Sequence, residues 1–136
     1  MLLSRHQIMT AGFHGVLYWA LAVLFIRFAG PALFVPGNPW LPALFVALIP
    51  ISWLFVELAP RVAGFVGPVV FPAVVVMCLT ALMLDGLALA VAPQLYGVTG
   101  PALLIPAAWL MFWFGVLLAF AFRKGICQDT SGDAAP

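Results

Sequence analysis

From Pro101 to Phe122 the chain reads PALLIPAAWLMFWFGVLLAFAF, without one charged side chain. A helix of about 20 such residues crosses a hydrocarbon core about 30 Å thick. A membrane barrel needs apolar and polar residues in alternation, and this run does not alternate. Three further apolar stretches precede it: about Ile8 to Gly30, Trp40 to Leu58, and about Phe65 to Ala92. Only 7% of the 136 residues are charged and 66% are hydrophobic, against about 25% charged in ordinary soluble domains. A water-soluble domain lacks its polar surface here, and disorder requires low hydrophobicity. Prolines and glycines, twelve of each, are tolerated in membrane helices. The expected fold is an all-α, four-transmembrane-helix bundle over residues 1–124. A short polar cytoplasmic tail, 125–136, is expected to be disordered.

Four spans place both termini on one side with the loop between spans two and three. That side holds Arg5, Arg61, Arg123 and Lys124, and the other holds only Arg27. The positive-inside rule therefore makes both termini cytoplasmic. Trp40, Tyr96 and Trp19 are expected near the interfaces. The opening MLLSR leads into a long run that contains Arg27 and has no small-residue cleavage site, so it reads as an uncleaved first helix. Cys78 lies in span three and Cys127 in the tail, and both are expected as free thiols.

Spans two and four share the word L-I-P-x-x-W-L, at Leu48–Leu54 and Leu104–Leu110. Pro42-Ala43-Leu44 is echoed by Pro101-Ala102-Leu103. The order suggests two helical hairpins related by duplication, with a pseudo-twofold axis along the membrane normal. Coincidence among common residues is the alternative. Pro50 and Pro106 would then make equivalent kinks, each removing one helical hydrogen bond.

Helices associate in lipid through small residues. On a helical wheel, span one aligns Ala11, Gly15, Ala22 and Ala29. Span two places Ala43, Ala47, Pro50 and Glu57 on one side. Span three gathers Cys78, Ala81, Asp85, Ala88 and Ala92, with Leu79, Met83 and Leu87 pointing away. Span four offers Ala108, Gly115 and Ala119. These small faces are expected inside the bundle, with the bulky side chains toward lipid.

Asp85 is the sharpest candidate for chemistry. An intramembrane carboxylate costs about 2.5–3.5 kcal/mol on insertion scales. It reads either as a proton- or cation-binding group or as a buried Asp bonded across the bundle. Arg27 matches it in depth but points away from the small-residue face. Three readings stay open for it: snorkelling to the headgroups, a pair with Asp85, or an oligomer contact. Glu57 and Arg61 are spaced i,i+4 and read as an interfacial ion pair or a gate carboxylate, with Pro60 between them expected to break the helix. His14 could ligate a pigment or haem metal. Bis-His haem is disfavoured because His6 lies near the surface, and a satisfied helix-face histidine is the commoner case. No metal-ligand spacing, nucleophile–base set, phosphate loop or basic nucleic-acid patch occurs. No catalytic residue, metal or cofactor is expected.

The stretch Met83-Leu84-Asp85-Gly86-Leu87-Ala88-Leu89, followed by Ala92-Pro93-Gln94-Leu95-Tyr96-Gly97, resembles a signature of small four-span bacterial membrane proteins. That family's pattern is an M-L-D word, an apolar run, then a proline and an aromatic. Arg27-Phe28-Ala29-Gly30-Pro31 also resembles it. The likeness covers about half of the chain, and Ala92-Pro93 stands where the family has Phe-Pro. The resemblance implies a bacterial inner-membrane location and brings no activity with it.

Two classes of function compete. One is a non-enzymatic accessory or structural subunit packing in a larger membrane assembly. The other is a small oligomeric proton- or ion-coupled transporter or channel using Asp85. A pigment- or quinone-binding protein is a weaker third. The expected partners are the lipid bilayer and either another membrane protein or further copies of this chain.

Overall fold

The structure, a computed structural model, describes residues 3–132, with side chains through residue 126. Four helices follow one another: α1 Arg5–Leu33, α2 Leu41–Val62, α3 Val70–Val91 and α4 Leu104–Gly132. Short 3₁₀ turns at Gly67–Val69, Pro93–Tyr96 and Gly100–Leu103 join them. No strand occurs among the described residues. All four helices are long and apolar enough to cross a membrane. The polar stretch expected to be disordered instead continues α4 to Gly132. The side chains of Cys127 and Asp129, and all of residues 133–136, lie outside the described residues.

Local chemistry sets the helix ends. Ser4 caps α1 in a capping box, its hydroxyl accepting from the Gln7 backbone N–H while the Gln7 side chain accepts from Ser4 N–H. Two orphan donors are thereby satisfied. At the other end the Asn38 amide donates to the Leu33 carbonyl at 2.8 Å and its oxygen accepts from Trp40 N–H. Helix α2 ends in a Schellman arrangement: Gly64 has φ +79°, and Phe65 N–H donates to the Pro60 carbonyl at 2.7 Å. A left-handed residue there favours glycine.

The prolines act differently from expectation. Helix α2 runs through both Pro50 and Pro60 to Val62, so Pro60 does not break it. Each proline leaves one carbonyl unpaired in the preceding turn. Pro106 is the third residue of α4. The first-turn N–H groups of an α-helix have no partner within it, so a proline there costs less than one in the helix interior. The L-I-P words also sit in different surroundings. Trp53 is 56% exposed and its counterpart Trp109 6%, while Pro50 is exposed and Pro106 buried.

Helix α3 occupies the centre, packed against α1 on one side and α4 on the other, and α2 packs on α4. Ala11, Gly15 and Ala22 of α1 are buried against α3, where Ala81 and Ala88 are buried in turn. Gly15 marks the closest approach: a Cβ there would lie 2.7 Å from the Met77 carbonyl oxygen. Small residues bring these two backbones together, as expected in lipid. Leu79, Met83 and Leu87 are exposed on the far side of α3.

Two faces turn out differently. Helix α4 buries Trp109, Leu110, Phe114, Leu117 and Ala121. Gly115, Ala119 and Ala108 are exposed, and a Cβ on Gly115 would meet nothing within 4 Å. Helix α2 buries Leu48, Ser52, Val56 and Ala59, while Ala43 and Pro50 are exposed. Backbone contact between α1 and α3 consumes the small residues. The space beside them must then be filled by large side chains, among them Trp109 and Trp113 of α4, whose rings form a ladder with Phe25 of α1 and Phe34 just after it.

Candidate functional site

Helix α3 carries Asp85 on its buried face, on the line that also buries Cys78, Ala81 and Ala88. Helix α3 ends at Val91, two residues before Pro93, whose missing N–H disfavours a further turn, and the chain turns back as the 3₁₀ segment Pro93–Tyr96. This turn lies against α1 and returns Tyr96 into the bundle. Tyr96 is 0% exposed and Asp85 4%. The Tyr96 hydroxyl donates to Asp85 Oδ1. Tyr96 is therefore not the interfacial aromatic expected of it, but the partner of the intramembrane carboxylate.

The indole of Trp19 on α1 lies close enough to interact with both members of the pair. Its Nε1–H nevertheless falls short of hydrogen-bond geometry, and so does Asp85 Oδ2, each buried without a hydrogen-bond partner among the described residues. Trp19 is thus a neighbouring dipole and not a hydrogen-bond donor to the pair. Burial, then the hydrogen bond to Asp85 and its negative charge, hold the Tyr96 phenol above its ordinary value of 10.0. Tyr96 thus stays protonated and remains the donor. A cavity of about 20 Å³ shares Trp19 with this site but is not lined by Asp85 or Tyr96; its walls include Tyr18, Cys78 and Trp113. That is room for about one water molecule.

Arg27 makes no ion pair with Asp85. Its guanidinium reaches the carbonyl oxygens of Gln94 at 3.3 Å and Leu95 at 3.4 Å, while the side chain stays exposed. These carbonyls belong to the turn that delivers Tyr96. Gly97, at φ +74°, presses against the same residue: a Cβ would lie 3.0 Å from the Arg27 carbonyl oxygen. Pro31, four residues on in α1, has no N–H to offer that carbonyl. Arg27, Gly97, Tyr96 and Asp85 together fasten the turn across the end of α1 and α3.

The opposite end of the bundle holds a second polar group. Glu57 Oε2 lies 3.1 Å from Arg61 Nη2, and Glu57 Oε1 lies 2.7 Å from Lys124 Nζ. The i,i+4 pair expected on α2 is present, and Lys124 extends it to α4. Glu57 is only half-buried, and it pairs through both oxygens.

His14 accounts for itself within α1. Its Nδ1–H donates to the Thr10 carbonyl at 2.9 Å, and its ring borders Phe13 and Tyr18. Cys78 is a buried free thiol. No group of three or more metal-ligating side chains occurs among the described residues.

Sequence reasoning found Asp85 but missed Tyr96 and Trp19. The available signal was the Pro93 break shortly after Asp85, which lets an aromatic from the next turn fold back onto its own helix. The chain matches no family model, no curated protein and no solved structure.

Proposed function

We propose that the chain is a non-enzymatic integral membrane protein that serves as an accessory or structural subunit of a larger membrane assembly. The carrying observation is that Asp85 is engaged by Tyr96 from the turn following its own helix. A carboxylate used to fasten a turn contributes to shape rather than to an open ion path. The lipid-facing sides of the helices then remain for association. The location we propose is the bacterial inner membrane with both termini cytoplasmic. Its support is the gathering of Arg5, Arg61 and Lys124 toward the end where α2 and α4 finish, with Arg27 at the other. Extraction in mild detergent followed by native mass measurement tests the subunit reading. Stoichiometric retention of a different membrane protein is the expected result, and a self-contained monomer or dimer is the contrary one.

A second reading, a small ion- or proton-coupled transporter, is favoured by one observation: Asp85 Oδ2 is buried with no hydrogen-bond partner among the described residues. Transport in vesicles that disappears in Asp85→Asn would support it. Transport unchanged by Asp85→Asn would sink it.

A further inference from the structure

Between the ends of α2 and α4 and the start of α3 lies a cleft of about 220 Å³. Its polar walls are Glu57, Arg61 and Lys124, and its apolar walls include Val56, Phe65 and Val70. The three charged groups leave a surplus of one positive charge, because Glu57 neutralises one of two cations. Glu57 also holds those cations apart, with Arg61 on one oxygen and Lys124 on the other. An ammonium has three donors and a guanidinium five, so each contact with Glu57 leaves donors over. The cleft is much larger than a water molecule and opens at the end of membrane-spanning helices. Cationic donors at that level, over apolar walls, match a phosphate ester joined to acyl chains.

We infer that this cleft binds a phosphate-bearing anion, supplied by the headgroup of an anionic phospholipid. The apolar walls receive the start of the acyl chains while Arg61 and Lys124 hold the phosphate. The site is independent of Asp85 and stands whether or not the chain is a subunit.

The test uses the full chain purified in neutral detergent and examined by native mass spectrometry. The probes are phosphatidylglycerol, phosphatidylcholine and inorganic phosphate. Phosphatidylglycerol is expected to remain bound where phosphatidylcholine does not. In the Arg61→Gln/Lys124→Gln variant, retention should weaken about 30-fold, or about 2 kcal/mol at about 1.4 kcal/mol per tenfold. Circular dichroism checks that this variant keeps its helices. Should it not fold, Glu57→Gln decides, since removing the counter-charge is expected to tighten phosphatidylglycerol binding. Displacement of phosphatidylglycerol by inorganic phosphate at equal concentration would uphold the anion site but overturn the lipid as its source. Equal retention of the two lipids, undiminished retention in the folded double variant, or no tightening in Glu57→Gln would overturn the proposal.

Discussion

At the scale of single residues, the Tyr96–Asp85 hydrogen bond explains why a charge-poor chain keeps a carboxylate in its interior. The raised Tyr96 phenol has a consequence for pH dependence. Its proton is held more tightly in the folded protein than in the unfolded chain. That contribution is complete below the ordinary phenol value of about 10 and is lost as pH rises through the higher folded value. Unfolding midpoints, followed by circular dichroism, should therefore fall more steeply above about pH 10 in the parent than in Tyr96→Phe. Equal alkaline slopes would count against the buried donor. Asp85 was legible in the sequence because a charge inside a span stands out. Its partner was not, since an aromatic just beyond a span has the composition of an interfacial anchor, and only the turn at Pro93–Tyr96 folds it inward.

At the scale of helices, close backbone approach and side-chain filling divide the work. The α1–α3 contact depends on Gly15, so Gly15→Ala must push against the Met77 carbonyl and should cost about 1–3 kcal/mol of stability. Gly115→Ala, with nothing within 4 Å, should leave stability unchanged or slightly raised, because alanine is the better helix former. Denaturant titration of both variants would check this, and a larger loss at Gly115 would contradict the packing. Gly97→Ala should also destabilise, being strained at φ +74° and set against Arg27. The small-residue stripes of α1 and α3 were readable as packing faces. Those of α2 and α4 misled, because a stripe of small residues does not reveal whether the partner helix supplies backbone or bulk. Trp109 shows the difference: its indole donates to the Leu44 carbonyl of α2 at 3.3 Å, and the ring fills the seam instead of facing lipid.

At the scale of the whole molecule, four apolar helices with polar fastenings at the two ends form the frame. Arg27 and the Asp85–Tyr96 pair lie toward one end, and Glu57, Arg61 and Lys124 at the other. The number of spans was legible from hydrophobic run length alone. The fastenings were not, because Glu57 to Lys124 and Arg27 to Gln94 span most of two helical hairpins. Orientation is open to a direct check: a fluorescent protein fused at the C-terminus should light up in the cytoplasm, and an alkaline phosphatase fused there should stay inactive. A reversed result would refute the charge-based topology. The pair that closes one end is best tested by a double-mutant cycle of Asp85→Ala and Tyr96→Phe, read as unfolding free energy in detergent. The expected coupling is about 1–2 kcal/mol, with the double variant losing less than the sum of the singles. Strict additivity would mean that Asp85 and Tyr96 do not hold the bundle together, and that the carboxylate is kept for something else.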